Sequence, residues 1–185
     1  MSKNSSPRIP LVNPPYSTEI QESFDRVMPE GVPPLNIFRT MANNPRVLSR
    51  MVKGGLLDRG SVSVADRELI ILRSCGLCRA EYEWGVHAAI FADQASINPQ
   101  QVENTYVANI DASLWSAQQL RLLALVEQLH NHQRVTQSLW QALEQDYSHE
   151  QIIELVMLAG LYHAVSFVVN SFQIQNEAFA PTAPE

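Results

Sequence analysis

Two cysteines and seven glycines in 185 residues are what this sequence has least of. So few thiols cannot build the disulfide framework of a small secreted domain, and stability has to come from packing. The glycine shortage argues against a β-rich architecture, and neither a glycine-rich phosphate loop nor a serine nucleophile elbow is present. Positive charge is short as well. Thirteen Lys and Arg stand against 19 Asp and Glu, a net charge of −6, whereas a nucleic-acid binder carries a strong positive field, so nucleic acid is not an expected partner. The first 15 residues are polar and proline-rich, without the apolar region of a signal peptide. The most apolar run, 152–174, contains Glu154, Tyr162, His163, Ser166, Asn170, Ser171 and Gln173, which lipid would leave without partners. It reads as a buried core helix, and the chain as a soluble, cytoplasmic protein with no membrane partner.

What the sequence does contain is helical punctuation. At 45% hydrophobic residues, the chain is long enough for one domain with a proper core. Residues 1–16 read as a flexible, proline-rich N-terminal tail, 17–177 as a single helical domain and 178–185 as a C-terminal tail. Thr18 with Gln21 has a capping-box pattern, as does Ser148 with Gln151. Asn44-Pro45 and Asn98-Pro99 place an N-cap before a proline at the first helical position, and Ser63 and Thr136 suit caps of further helices. Leu122, Leu125, Val126 and Leu129 share one helical face. No stretch alternates as a half-buried strand would, so the expected fold is all-α with seven to nine helices. Glu68 and Glu154 each precede four apolar residues, an echo that fits either a duplicated helical unit or the common placement of Glu early in a helix.

The densest run of reactive side chains lies between Asp66 and Phe91. Glu83 and His87 stand at i and i+4, on one helical face. A carboxylate there stabilises an imidazolium or fixes the ring's tautomer, which makes His87 a candidate general acid/base and Glu83 its partner. The same spacing also suits an ordinary surface Glu–His pair. Glu68, on the preceding helix, reaches the same place if the two helices pack antiparallel. Cys75-Gly-Leu-Cys78 has the spacing of a redox pair, and equally that of two small buried thiols in a core helix. Cys75, Cys78 and His87 offer only three metal ligands at a spacing that matches no common zinc motif, so no metal is expected. His130 and His132 close a helix, where imidazolium suits the C-terminal dipole, and carry no assigned function. Trp84 and Phe91 read as core.

Glu68, Ala80, Glu83 and His87 carry a resemblance. Their register is similar to the signature of the carboxymuconolactone decarboxylase and alkylhydroperoxidase D-like superfamily: a Glu, twelve positions later a Cys-x-x-Cys, then three residues and a His. Ala80 and Glu83 occupy the cysteine positions, and Glu81-Tyr82-Glu83-Trp84-Gly85-Val86-His87 looks like the decarboxylase-like branch. The resemblance runs from about residue 34 to 172, including the Asn36–Arg39 region and the Gly160–His163 to Asn170 helix. It implies an alkylhydroperoxidase D-like helical bundle that assembles as homo-oligomers, often trimers or hexamers. It also raises the standing of Tyr162 and His163 as pocket-lining groups. Cys75 and Cys78 lie five residues upstream of the family's redox register, so the peroxidase roles do not transfer to them.

Charge placement points the same way. Between residues 35 and 80, eight basic residues face only Asp58, Asp66 and Glu68, leaving that stretch at +5 and the rest of the chain at −11. A guanidinium binds a carboxylate bidentately, and Arg39 and Arg73 are the expected anchors for an acidic small-molecule substrate; partners on a neighbouring subunit or a solvated face would use the same charges. The combined reading is a cofactor-free acid/base enzyme of the decarboxylase-like type, acting on a small carboxylate-bearing metabolite such as a lactone or an aromatic-derived acid. His87 delivers the proton, Glu83 orients it, Glu68 exchanges protons and Tyr82 donates to substrate. The alternatives are a thiol-dependent hydroperoxide reductase using Cys75 and Cys78, and a non-catalytic oligomeric scaffold. The scaffold reading would be favoured by an empty, solvent-blocked or misaligned Glu68–Glu83–His87 cluster.

Overall fold

The computed structural model describes residues 6–56 and 58–184. Among these the chain forms nine α-helices, one short 3₁₀ turn (Ala112–Leu114) and no strand, as the helical punctuation predicts. The helices are α1 (Thr18–Val27), α2 (Asn36–Met41), α3 (Pro45–Lys53), α4 (Val64–Leu77), α5 (Glu81–Phe91), α6 (Pro99–Tyr106), α7 (Ala117–His132), α8 (Gln137–Leu143) and α9 (His149–Phe172). The predicted caps at Asn44, Ser63, Asn98, Thr136 and Ser148 each accept a backbone N–H of the first turn, as does Ser116 at the start of α7, satisfying donors the helix cannot pair. Thr18 is a correction: it is the first helical residue, Ser17 is the N-cap, and no side chain caps that end.

Helix α2 was not foreseen, and its cap explains why. Its N-cap is Leu35, which has no capping side chain. The backbone N–H of Asn36 instead donates to Glu177 Oε1 at 2.6 Å, 141 residues away. A carboxylate at a helix N-terminus satisfies both the unpaired donor and the dipole, but here only the folded chain supplies it.

The core is built around α4. Leu69, Ile70, Ile71, Leu72 and Cys75 are buried on every side of this helix, because α5, α6, α7 and α9 all pack against it. Gly76 makes the closest approach possible: a Cβ there would strike the backbone of Thr105 and Tyr106 at the end of α6. Arg73, 1% exposed, locks the same junction. Its guanidinium donates to the carbonyls of Thr105, Val107 and Ala108 and to Glu127 of α7.

Helix α9 is long and apolar enough to cross a membrane by length and composition alone. It packs instead as a wall of the core, burying Ile152, Leu155, Leu158, Ala159, Tyr162, Val165 and Val169 against α4, α5 and α7. The echo between Glu68 and Glu154 does not extend to their surroundings. Glu154 accepts from the backbone N–H and hydroxyl of Ser61, whereas Glu68 faces a histidine.

Both ends of the described chain lie on the helical body. In the N-terminal segment, the Arg8 backbone N–H donates to Phe172 O, and Val12 N–H donates to Arg39 O. At the other end the segment passes over α5, where a Cβ on Gly85 would approach Pro181 O to 2.8 Å. Residues 1–5 and 185 of the two expected tails lie outside the described residues.

Candidate active site

The turn between α4 and α5 brings the reactive side chains together. Helix α4 ends in a Schellman arrangement: Ala80 N–H bonds to Cys75 O and Arg79 N–H to Gly76 O. Arg79 takes the left-handed conformation at φ 53°, an uncommon choice for a side-chain-bearing residue. Its guanidinium is held against Tyr106, donating to that residue's carbonyl and lying 5.1 Å from the ring centroid. The chain therefore doubles back after α4, and α5 returns alongside it.

Glu68 of α4 and His87 of α5 meet as a result. His87 Nδ1 lies 2.7 Å from Glu68 Oε2, so the antiparallel packing on which Glu68's role depends is present. On the other side of the ring, Nε2 lies 2.9 Å from the Tyr162 hydroxyl of α9 and 3.4 Å from Glu83 Oε1. Arg67 Nε donates to the second oxygen of Glu68 at 2.9 Å and its guanidinium lies over the Phe91 ring. The cluster thus sets two acids against a histidine and an arginine, with tyrosine bridging to α9.

Burial and charge oppose each other at His87, which is 2% exposed. Burial alone pushes its pKa down, but hydrogen bonds and attraction from Glu68 and Glu83 outweigh it and raise the value from 6.5 to about 9. His87 is therefore an imidazolium at neutral pH, with Nδ1–H donating to Glu68 and Nε2–H facing Glu83 and the tyrosine oxygen. Burial pushes the Tyr162 hydroxyl well above its usual pKa, with Glu83 and Glu68 adding to the rise, so it remains a phenol. Glu83 Oε2 is buried and, among the described residues, has no hydrogen-bond partner. A buried acceptor left in this condition costs free energy, and it offers a position for a substrate proton.

This proton has a stability consequence. A histidine that holds its proton more tightly when folded stabilises the fold below pH 6.5, and the contribution is lost as pH rises through about 9. At about 1.4 kcal/mol per pKa unit, the loss is on the order of 3 kcal/mol. The urea midpoint should fall across that window in the wild type and stay level in His87→Gln; a level wild-type profile would mean that His87 is neutral.

Other candidates stand elsewhere. Arg73 is consumed by its carbonyls and Glu127, and Arg39 is held by the N-terminal segment through Val12 O and Asn13. Neither guanidinium reaches the His87 cluster, so neither is in place to anchor a substrate there. The Tyr82 hydroxyl donates to Glu177 and accepts from Ile37 N–H; burial first and then Glu177 push its pKa up. It ties α2, α5 and the C-terminal segment together and is not aimed at His87. Tyr162 is in the cluster, but His163, its neighbour, turns away to pair with His130.

The thiols are free and sit at the end of α4. Burial pushes Cys75 well above the usual thiol pKa, and nearby Glu83 raises it further; burial also raises Cys78. The nearby Ser166 hydroxyl works against both shifts and does not reverse them. Sequence reasoning overlooked Arg67, although it adjoins Glu68 within the basic stretch. It also missed the grouping of Cys78, His130 and His163, since 85 residues separate the first from the last.

Access is narrow. Among the described residues, the surface cleft lined by Tyr16, Phe24 and Met28 and the one lined by Trp84, Ala88 and Asp93 do not include Glu68, Glu83, His87 or Tyr162. Glu83, at 8% exposure, is the least buried of the two acids and the histidine, so any approach to the ring runs along its side chain.

No family model matches the chain, and no curated protein matches it in sequence. Solved structures do. The alkylhydroperoxidase AhpD core of a peroxidase-related protein from Ralstonia eutropha superposes with a TM-score of 0.80 at 16% identity, covering 95% of this chain and 94% of that one. A peroxidase-related protein from a Silicibacter species superposes with a TM-score of 0.77 at 18% identity, covering 96% of each. The chain therefore has the all-α, alkylhydroperoxidase D-like core fold.

Proposed function

We propose that this protein is a cofactor-free acid/base enzyme of the carboxymuconolactone decarboxylase-like type, acting on a small carboxylate-bearing metabolite with His87 as the proton donor. The observation that carries this reading is the His87 ring itself: buried, and held between Glu68 and Glu83, which raise its pKa, with one Glu83 oxygen unpartnered. In a decarboxylation the carbon–carboxylate bond breaks, its electron pair enters a conjugated carbonyl or lactone, and a proton is delivered to carbon. His87 Nε2–H supplies that proton and the ring becomes neutral. Glu68, on Nδ1, holds the ring in place and favours its return to imidazolium, and Glu83 accepts from the substrate and orients it. A cation beside the site suits a carboxylate, and Arg67 is the one at the cluster. The test is carbon dioxide release from a panel of small lactone and aromatic-derived acids, with His87→Gln as the control.

We further propose that the protein is cytoplasmic and works as a homo-oligomer, a trimer or hexamer. Ile153, Met157 and Phe167 leave an apolar stripe on the outer side of α9, each at least 59% exposed, and such a patch is usually covered.

Two other readings rest on specific observations. The likeness to peroxidase-related proteins keeps a thiol-dependent hydroperoxide reductase open, with Cys75 and Cys78 as the pair. The raised thiol pKa values argue against it, because the thiolate is the reactive form. Free thiols counted before and after peroxide treatment should be unchanged; reversible loss of two per chain would transfer the assignment to the cysteines. The near-complete burial of Glu68 and His87 favours a non-catalytic scaffold, while their alignment favours the enzyme. A panel with no turnover at all would support the scaffold.

A further inference from the structure

Cys78, His130 and His163 come from three different helices and converge on one point. Cys78 is the C-cap of α4, His130 lies in the last turn of α7, and His163 is in the middle of α9. One ligand atom from each, Sγ or a ring nitrogen, lies within 4.8 Å of the others, and all three residues are partly buried. His130 Nδ1 is 2.9 Å from His163 Nε2 and 4.0 Å from Cys78 Sγ.

The orientation of His163 is set from behind. Its Nδ1 lies 2.8 Å from the carbonyl of Ala159, which can only accept, so Nδ1 carries the hydrogen and Nε2 presents a lone pair to the cluster. A metal-bound histidine is held in this way, with its far nitrogen donating to a carbonyl or carboxylate. His130 Nδ1 lies between that lone pair and the sulfur.

From these positions we infer that Cys78, His130 and His163 form a binding site for a zinc-like transition-metal ion, with a fourth position left for water or an external ligand. Thiolate and imidazole are the donors such ions prefer, and oxygen-seeking calcium or magnesium is not suited to them. Zinc bonds of about 2.3 Å to sulfur and 2.0–2.1 Å to nitrogen put tetrahedral ligands roughly 3.4–3.6 Å apart. The two ring nitrogens would need to separate by about half an ångström, and the sulfur to close on His130 by about as much and on His163 by at most about 1.2 Å. Binding would release the Cys78 proton, since a coordinating thiol is ionised by the metal. The ion would clip α4, α7 and α9 together through residues outside the acid/base cluster. The site is independent of the function proposed above and uses none of its residues.

Cobalt(II) serves as the spectroscopic probe. Full-length protein, stripped with chelator and kept reduced, should bind one Co²⁺ per chain, with a thiolate-to-cobalt charge-transfer band and visible bands of tetrahedral intensity, and Zn²⁺ should displace it. Cys78→Ser should lose the charge-transfer band, and His163→Gln should bind more than about 100-fold more weakly, above the roughly 10- to 100-fold loss of an outer-shell change. Cys75→Ser and His87→Gln should bind as the wild type does. Zn²⁺ should also raise the melting temperature of the wild type but not of Cys78→Ser, and should slow alkylation of Cys78. Absence of a charge-transfer band in folded wild-type protein would overturn the site, as would wild-type binding by Cys78→Ser.

Discussion

Replacing His87 with glutamine should lower turnover by a factor of about 10² to 10⁴, the usual contribution of a positioned general acid, while the protein stays folded. Glutamine is the appropriate change, because alanine would do more than remove a proton. His87 is the cation between two buried or nearly buried acids, only 3.4 Å from Glu83 and 2.7 Å from Glu68. Both changes remove the cation, but alanine would also leave the two carboxylates facing a hole with no donor in reach, and loss of activity could then be loss of fold. Glutamine retains an amide donor and most of the volume without a transferable proton. The readout is carbon dioxide release together with a circular dichroism melt: lost turnover with an intact melt assigns the proton to His87. Unchanged turnover would remove the assignment.

The largest expected effect on stability lies away from the site, at Arg73. Arg73→Ala should cost about 3–5 kcal/mol, because it leaves buried carbonyls without a donor at about 1–3 kcal/mol each, and lower the melting temperature by on the order of 10 °C. Three backbone carbonyls at the end of α6 and just beyond it lose their donor, and Glu127 loses its cation. An unmade buried hydrogen bond costs far more than a made one contributes. Arg73→Lys should recover only part of the loss, because an ammonium cannot fork across four acceptors. Turnover per folded molecule should be unaffected, since Arg73 does not touch the His87 cluster. A melting temperature within about 2 °C of wild type, less than 1 kcal/mol for a chain of this size, would contradict the view that this arginine locks α4 to α6 and α7.

Local signals were legible in the sequence where the chemistry is local. Five capping residues, the proline-initiated helices and the i, i+4 pairing of Glu83 with His87 all involve neighbours a turn apart, and the structure places them where their spacing implies. Elements completed from a distance were not legible. Helix α2 depends on Glu177, the Tyr82 hydroxyl is taken by the same carboxylate, and Arg39 is held by a segment that reads as a loose tail. Arg73 shows the limit of charge counting. It belongs to the basic stretch, yet α4 buries it beneath backbone carbonyls and leaves no donor for a substrate. The Glu68–His87 contact was conditional on a hairpin between α4 and α5, and the left-handed Arg79 turn supplies it.

The central claim is that His87 is a buried cation held by two acids, and NMR of the imidazole ring nitrogens tests it directly. In the wild type at pH 7 both ring nitrogens of His87 should be protonated, with titration near pH 9. Glu68→Gln should move that titration down by at least one unit, since it removes the strongest stabilising partner. A His87 ring with one bare nitrogen at pH 7, titrating at or below 6.5, would contradict the account.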